Sequence, residues 1–294
     1  MLIKETQGER MFGLFNTIFL ILLSIICLYP LFYVFIASIS DPIEIMKHRG
    51  LLFFPRGFSL GSYRLVFQNA MISIGYKNTL IYVTVGTAIN MFMTITCAYA
   101  LSRKNVLLRD LFMFLIVFTM FFSGGLVPSY LLVRDIGMID TRWALLIPKA
   151  MTAYNMIIMR TSFAAVPESL IEAARIEGAG DIRILTKIVL PVSKAVIAVI
   201  ILFYSVSQWN AWFDAMIYLR ERSYYPLQLV LREILISNDT SSMTNELATA
   251  LDKEPVGMTV KYSTIMVATV PVLIVYPFIQ KYFTKGVMIG AIKG

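Results

Sequence analysis

The sequence predicts an all-α membrane protein with six transmembrane helices in a single domain, residues 1–294. Composition is the first reason, since 58% of the 294 residues are hydrophobic and 15% are charged, with a mean hydropathy of +0.73. Soluble domains carry about 25% charged residues, so most of this chain is solvated by lipid. The second reason is the recurrence of charge-free runs near the roughly 20 apolar residues that span a bilayer. The third is one polar segment of mixed charge, residues 160–194, between two such runs.

Each apolar run predicts one span. Five of the runs contain no Asp, Glu, Lys or Arg: residues 11–40, 78–102, 111–133, 195–213 and 262–280. The remaining run, residues 143–159, carries only Lys149, which follows Pro148. The first run is longer than the apolar part of an export signal, and no clean A-x-A-like cleavage site follows it. We therefore expect a retained helix rather than a signal peptide.

Residue chemistry argues against several other classes of protein. The net charge of +8 fits contact with anionic lipid, and no basic stripe interleaved with aromatic residues indicates a nucleic-acid partner. Cys27 and Cys97 lie in apolar runs, where we expect small buried side chains and no disulfide or metal framework. The sequence places no Ser/His/Asp set, carboxylate pair or metal cluster within the spans, and His48 lies in a predicted outer loop. We expect no catalytic residue, metal site or cofactor in this chain.

A helical hairpin is predicted at about residues 167–191, between the fourth and fifth spans. Pro167 suits the first turn of a helix, where its missing N–H costs nothing. Glu168 follows it at the positive end of the helix dipole. Glu172 lies one turn further along, where Arg175 can reach it from position i+3.

Glycines divide this hairpin into two helices. Gly178 and Gly180 predict the end of the first helix, because glycine tolerates a left-handed C-terminal turn. Asp181 is the expected N-cap of a second helix over about residues 182–190, and Pro191 marks its junction with the fifth span. The apolar residues that we expect this helix to expose are Ile184, Leu185, Ile188 and Val189. Helix signals alone also allow a solvated amphipathic loop that folds as a hairpin.

The spacing of seven hairpin residues is a more specific signal. A Glu-Ala-Ala triplet is followed by a glycine and then by Ile-x-Leu-Pro, at Glu172, Ala173, Ala174, Gly178, Ile188, Leu190 and Pro191. Two adjacent alanines present almost no side chain, so another protein surface can approach the backbone closely. This pattern resembles the cytoplasmic EAA loop of bacterial ABC-importer permeases.

The resemblance extends over nearly the whole chain. Three further segments share it: residues 122–128 after the third span, 209–214 in the fifth span, and 276–283 with Lys285 and Gly286. The chain as a whole resembles carbohydrate-importer permeases of the maltose-permease type, a class with six spans and a partner permease. Its C-terminal segment resembles the branch that handles complex oligosaccharides or polysaccharide fragments.

This resemblance implies both a fold and a role for the hairpin. The fold would be the six-helix MetI-like permease core, and the hairpin would be the coupling helix, seated in a cleft of a separate ATPase subunit. Glu172 would make polar contacts there, the two alanines would allow a close fit, and Gly178 would supply the turn. The residues that would anchor the hairpin to the membrane core are Ile188, Leu190 and Pro191.

The resemblance also implies a heteromeric complex. The chain would assemble with a second, homologous permease subunit, two ATPase subunits that bind ATP and Mg²⁺, and an extracytoplasmic solute-binding protein. The outer loops, residues 41–77 and 220–262, would meet the binding protein. The nearest approach to a P-loop in this chain is Gly286-x3-Gly290-x2-Lys293, which has the wrong spacing and no following Ser or Thr. We therefore assign ATP hydrolysis to the partners; the tail would contact the ATPase dimer, or it is a frayed end.

The expected location is the bacterial cytoplasmic membrane, with several crossings and both termini in the cytoplasm. The predicted loops on the two sides carry nearly equal numbers of Lys and Arg, so the positive-inside rule does not decide the orientation. The orientation rests instead on the hairpin, which must face an ATPase in the cytoplasm.

Polar residues within the spans indicate where a substrate passes, because they are costly in lipid and usually face a cavity or a partner helix. The candidates are Ser123, Gly124, Gly125, Tyr154, Asn155, Gln208, Trp209 and Asn210. In the fifth span, aromatic rings suit the apolar faces of sugars and amides suit their hydroxyl groups. The glycines after the third span break a helix near the outer face, and broken helices commonly line a transport path.

Several of these residues have a simpler interpretation. Trp209 and Trp212 are also typical of an interfacial aromatic belt. Asn155 is equally suited to a hydrogen bond across a helix interface, and the glycine break to a plain helix end. Asp214, near an outer end, is placed to pair with an arginine of the following loop, either Arg220 or Arg222.

The predicted function is a permease subunit that moves oligosaccharides into the cell with energy from separate ATPase subunits. The alternative within transport is the same machinery with a non-sugar cargo, such as an amino acid, a peptide or a polyol phosphate. A membrane enzyme would need a cluster of nucleophile, base or metal ligands, which the sequence lacks. A structural or signalling scaffold would not need Asn155, Gln208 and Asn210 within its spans.

Overall fold

A computed structural model describes residues 7–236 and 253–291. Within these residues every regular element is helical, apart from an isolated bridge between Ser40 and Phe58. The chain packs as two compact units: a first unit of Met1–Asn69 with Glu233–Val270, and a second unit of Ala70–Arg232 with Pro271–Gly294.

The first unit is built on one long apolar helix. This helix, α1, spans Gln7–Ser38 and precedes two short helices, α2 at Pro42–Lys47 and α3 at Gly61–Gln68. Asp41 is the N-cap of α2, and its carboxylate accepts a hydrogen bond from the backbone N–H of Ile43 at 2.9 Å. A small apolar core forms around the end of α1, from Ile36, Ala37, Ile45 and Leu52.

The loop between α2 and α3 folds back along α1. The backbone N–H of Leu52 donates to the Tyr29 hydroxyl of α1 at 2.9 Å. The last helix, α15, spans Lys253–Ala291, and its early turns belong to this unit. There the hydroxyl of Ser62 donates to that of Thr259 at 2.8 Å.

The second unit is built around α4, which spans Ala70–Ser102. Two helices pack along it and bury the main core between them, from residues that include Met156, Met159, Phe163, Ile200 and Tyr204. The helices that follow α4 up to the bend before the fifth span are α5 (Arg109–Phe121), α6 (Leu126–Asp135), α7 (Trp143–Leu146), α8 (Ala153–Ala164), α9 (Glu168–Ile176), α10 (Asp181–Ile184) and α11 (Leu190–Val192). Those after the bend are α12 (Lys194–Trp209), α13 (Phe213–Tyr218) and α14 (Leu227–Ile236). The helices packed along α4 are α8 and α12.

One end of α4 fastens a later segment of the chain through polar side chains. The Asn78 amide donates to the backbone carbonyls of Ser223 at 2.7 Å and Tyr225 at 3.1 Å, and its oxygen accepts from Arg142 at 3.1 Å. The Thr79 hydroxyl accepts from the backbone N–H of Leu227 at 2.8 Å. These bonds satisfy buried polar groups where lipid would offer no partner.

Long apolar helices occupy three of the six predicted spans. In the described part of the chain, the helices long and apolar enough to cross a membrane are Gln7–Ser38, Ala70–Ser102 and Val256–Ile274. Two further pairs pass the same test only if each bent pair is one span: Arg109–Phe121 with Leu126–Asp135, bent by 115°, and Asp181–Val192 with Lys194–Trp209, bent by 86°. Length and composition therefore give three to five crossings in these residues, and the count of six stays a prediction.

The predicted fourth span is not one continuous helix. Residues 143–159 fall on α7, on a non-helical stretch at residues 147–152, and on part of α8, which has only 12 residues. Pro148 lies in the stretch, where a proline interrupts helical hydrogen bonding because it lacks an N–H. Residues 237–252 of the predicted outer loop at residues 220–262 lie outside the described residues.

We predict that Gly75→Ala destabilises the second unit. A Cβ at this position would lie 2.9 Å from the Leu227 Cα and 3.2 Å from its nitrogen, so backbone would have to move. Such overpacking costs about 1–3 kcal/mol, and a lower melting temperature of the detergent-purified protein would report it. The matched control is Gly13→Ala in α1, where nothing lies within 4 Å of the added Cβ. Equal melting temperatures for the two variants would contradict the prediction.

Candidate functional site

The turn of the hairpin is set by Gly178, which adopts a φ of +80°. Its N–H donates to the Arg175 carbonyl at 2.9 Å, and the N–H of Ala179 donates to the Ala174 carbonyl at 2.9 Å. This pair of bonds is a Schellman motif, which ends a helix with a left-handed residue. The prediction that Gly178 ends the first helix is confirmed. Gly180 is different, since it has a φ of −74° and is the N-cap of α10.

Two predicted contacts in the hairpin are wrong. Asp181 is the first residue of α10 and not its N-cap, and its carboxylate accepts from Arg175 at 3.3 Å and from the Tyr99 hydroxyl at 3.4 Å. Arg175 therefore pairs with Asp181 rather than with Glu172, which is exposed. The reason is the tight turn at Gly178, which brings the start of α10 back beside the last turn of α9.

The apolar face predicted for the second helix is also wrong. Ile184 and Val189 are fully buried in the core, although we expected them to be exposed, and Leu185 and Ile188 are half-buried. These residues lie in or beside a π-helical turn, Leu185–Val189. An α-helix would separate positions five apart by about 140°, whereas a turn with i→i+5 hydrogen bonds brings them close to one face.

The most exposed large apolar residues of the hairpin are two isoleucines that sequence reasoning missed. Ile176 is 88% exposed and Ile182 is 81% exposed, one on each side of the Gly178 turn. The signal that was available is an apolar residue between charged neighbours on each side of the turn, in Arg-Ile-Glu and Asp-Ile-Arg. We call Ile176 and Ile182 the isoleucine pair.

The seven motif residues divide between the core and the surface. Ala174 is buried one turn after Ile171, whereas Ala173 faces outward. Ile188 and Leu190 pack against the core, while Glu172, Gly178 and Pro191 are exposed. Only one of the two alanines therefore lies on the open surface.

The base of the hairpin is fastened to the segment after α4. The Lys104 ammonium donates to the Glu168 carboxylate at 2.7 Å, and this hydrogen bond and charge hold the pKa of Glu168 below its usual value. Arg103 donates to the carbonyl of Phe163 at 3.0 Å, and Arg160 donates to that of Leu101 at 3.2 Å. These contacts place the hairpin and the segment at residues 102–110 at the same end of the second unit.

A polar cluster joins α4, α12 and the non-helical stretch between α7 and α8. The Gln208 amide donates to the Asn90 oxygen at 3.3 Å, and the Asn90 amide donates to the backbone carbonyl of Lys149 at 2.5 Å. Gly86 allows this approach, because a Cβ there would lie 2.7 Å from the Gln208 amide nitrogen. Gln208 was predicted as a path residue, and the structure places it in a helix–helix contact.

The Lys149 ammonium forms an ion pair with the Asp214 carboxylate. The prediction that Asp214 pairs with Arg220 or Arg222 is therefore wrong. The backbone N–H groups of Glu221 and Arg220 instead donate to the Asp140 carboxylate, which holds the pKa of Asp140 below its usual value. Sequence reasoning identified Lys149 only as a charge within a span, and nothing in the sequence linked it to Asp214.

The other predicted path residues lie at several places. Ser123, Gly124 and Gly125 are exposed in the 115° bend between α5 and α6, where Gly125 has a φ of +85°, so the predicted helix break is confirmed. Tyr154 is exposed, and Asn155 is buried in the core at the start of α8.

The end of α12 presents an aromatic side chain next to an open amide. The Trp209 indole N–H is buried without a hydrogen-bond acceptor among the described residues, and its ring meets Tyr76 edge-on at 6.4 Å. Asn210 is exposed and donates to the Val206 carbonyl at 3.0 Å. The neighbouring Trp212 ring lies 4.6 Å from the Arg232 guanidinium carbon.

Together, the long apolar helices, the two bent helix pairs and the buried polar cluster define a multi-pass membrane protein. Residues 76–289 match the family model described as binding-protein-dependent transport system inner membrane component, and the chain belongs to this family.

The chain is also similar to individual named proteins. The chain is 42% identical to the polygalacturonan/rhamnogalacturonan transport system permease protein YtcP of Bacillus subtilis (strain 168), over 97% of this chain and 99% of the relative. It is 37% identical to protein LplC of the same organism, over 99% of this chain and 97% of the relative. Among solved structures, it is similar to a chain of a bacterial ABC transporter involved in import of the acidic polysaccharide alginate. That similarity has a TM-score of 0.87 and 33% identity, and it covers 95% of this chain and 99% of the other.

We predict that Gly178→Ala loosens the hairpin whereas Gly180→Ala does not. Both positions have open space around an added Cβ, but only Gly178 has a positive φ. An L-residue in the left-handed region costs about 1–2 kcal/mol. Hydrogen exchange of the α9 amides in detergent should therefore be roughly 5–30-fold faster in Gly178→Ala alone. Unchanged exchange in both variants would show that the turn is not under this constraint.

Proposed function

We propose that this chain is a permease subunit of an ATP-binding-cassette importer that carries oligosaccharides into a bacterial cell. The observation that supports this cargo is the 42% identity, over nearly the full length of both chains, to a permease named for polygalacturonan and rhamnogalacturonan. The cargo named for the similar solved transporter, alginate, is also a polysaccharide. These similarities favour a carbohydrate over an amino acid, a peptide or a polyol phosphate.

The hairpin is the proposed docking site for an ATPase subunit. The isoleucine pair projects from the turn, and two such apolar side chains in open water favour burial against a partner surface. Glu172 and Ala173 lie exposed on α9 and would extend the same surface. In this proposal, ATP and Mg²⁺ are bound by two ATPase subunits, and this chain holds neither.

The remaining partners follow from the same proposal. A second, homologous permease would complete the pore, and an extracytoplasmic binding protein would deliver the oligosaccharide to the outer segments of this chain. Docking at the hairpin would place residues 160–194 in the cytoplasm. Six crossings would then put both termini on that side.

Buried contacts offer a route from the hairpin to the polar cluster. Ile184 and Val189 are buried in the same core as Ile200 and Tyr204 of α12. Tyr204 shares a hydrogen bond of 2.7 Å with Thr94 of α4, and α12 ends beside Gln208. A displacement of the hairpin by the ATPase would therefore move α12 against α4 and change the space around the polar cluster.

The proposed path for the sugar uses the predicted residues that remain accessible. Asn210, next to the Trp209 ring, would hydrogen-bond sugar hydroxyls, while Tyr154 would offer an apolar face. Gln208 and Asn155 are buried and would not contact the sugar. They would instead hold the helices around the path at a fixed spacing. The bend at Ser123, Gly124 and Gly125 would line the outer part of the path.

We predict that Ile182→Ser weakens docking of the ATPase without reducing the amount of permease in the membrane. Loss of one isoleucine that docking buries is worth about 1.5–3 kcal/mol, or roughly 10–150-fold in affinity. The measurement is the ATPase that co-purifies with the tagged permease from cells that express the complete system, together with oligosaccharide uptake.

The control for this experiment is Leu107→Ser, which removes another apolar side chain, 84% exposed, at the same end of the unit. It should leave co-purification unchanged. Two results would overturn the proposal: a wild-type complex with no nucleotide-hydrolysing subunit, or full ATPase recovery with Ile182→Ser and Ile176→Ser combined.

A further inference from the structure

Lys149 lies deep within the membrane-spanning part of the second unit. Its carbonyl accepts a hydrogen bond from Asn90, which precedes the end of α4 at Ser102 by twelve residues. At 1.5 Å per residue, this contact is about 18 Å from that end of the helix. Asn90 is also the central residue of the predicted span at residues 78–102, so the backbone of Lys149 lies near the middle of that span.

The backbone at Lys149 is fixed although it is not helical. Residues 147–152 lie between α7 and α8, and non-helical backbone at this depth is tolerated only within protein or beside a water-filled cavity. Asn90 bonds the carbonyl of Lys149, and the Tyr204 hydroxyl accepts from the backbone N–H of Thr152 at 3.2 Å. The lysine is therefore held at a defined position by two neighbouring helices.

The hydrogen-bonding capacity of the Lys149 ammonium is only partly used by its partner. An ammonium has three donors, and Asp214 is its one hydrogen-bond partner in the described part of the chain. The Lys149 side chain is 63% exposed, whereas that of Asp214 is only 19% exposed. A lysine in this position is too costly to face lipid, so its open side must face a polar space or a partner.

We propose that Lys149 receives the carboxylate of an acidic sugar, such as a uronic-acid residue, as the oligosaccharide passes through the permease. This inference rests on the proposed function and adds the substrate class. The incoming carboxylate replaces Asp214 on the ammonium, and Asp214 returns when the sugar moves on. A neutral sugar carries no charge that could pair with the ammonium, so it would not offset the cost of placing a cation here.

Asp214 makes this exchange reversible. Without a substrate, it keeps the site neutral and so lowers the cost of a cation within the membrane-spanning part of the unit. With a substrate, its negative charge weakens the hold of the site on a second carboxylate, which favours release. Gln208, which contacts Asn90 in the same cluster, keeps the two helices around the lysine in register.

The test uses the complete importer, with its ATPases and binding protein, in proteoliposomes and labelled trigalacturonate as the probe. Lys149→Gln should lower uptake by about tenfold or more, since a hydrogen bond to a charged group is worth about 1.5–3 kcal/mol. Lys149→Arg keeps the cation and should retain most of the uptake. Asp214→Asn removes the competing carboxylate and should lower the KM for trigalacturonate.

The double variant Lys149→Gln with Asp214→Asn separates this role from a structural one. If the ion pair only stabilises the fold, the neutral pair should restore the uptake that Lys149→Gln loses, and Asp214→Asn alone should be as harmful as Lys149→Gln. If Lys149 binds the substrate, the double variant stays as impaired as Lys149→Gln. Co-purification of the ATPase should be normal in all variants.

The outcomes distinguish this inference from the proposed function. If the wild-type complex imports neutral trisaccharides but not trigalacturonate, or if Lys149→Gln imports trigalacturonate at the wild-type rate, the role of Lys149 is overturned while the importer remains. If the wild-type complex imports neither kind of oligosaccharide, the proposed function itself fails.

Discussion

Lipid offers no hydrogen bonds, and this constraint determines how the helices of the second unit are joined. Buried polar side chains of α4 find their partners on other parts of the same unit. Asn78 bonds the segment before α14, Asn90 bonds the stretch between α7 and α8, and Thr94 bonds α12. An interrupted helix can persist within the spans because its free backbone groups are satisfied in this way. The same bonds fix the position of Lys149.

Features that depend on local chemistry were predictable from the sequence. Glycine is strongly favoured at a positive φ, so the turn at Gly178 and the break at Gly125 could be located without a structure. The ion pair of Lys149 and Asp214 could not be, because its members lie 65 positions apart and meet only through the packing of α7, α8, α12 and α13. Residues that meet only through tertiary packing have no characteristic separation in the sequence.

The surface of the hairpin was harder to predict than its existence. Regular helical periodicity would place Ile184 and Val189 on different faces, yet both are buried, since Ile184 directly precedes a π-helical turn and Val189 ends it. That turn has no clear signature in the residues that form it. The isoleucine pair was missed for a different reason. A search for apolar faces looks for several apolar residues at helical spacing, and each of these isoleucines stands alone between charged residues. The surface proposed to dock an ATPase subunit therefore depends on how the hairpin packs, which the seven-residue motif does not specify.

The π-helical turn holds one residue more than an α-helical turn between the same ends. Deleting any one of its five residues would let an ordinary helix run through, and the segment before it would swing by about 100° relative to the segment behind it. The two isoleucines would then be presented in a different direction, although no residue that touches a partner had been exchanged. Chain length, as much as residue identity, thus determines the surface that the hairpin presents, and a graft of the hairpin between related permeases would have to preserve it.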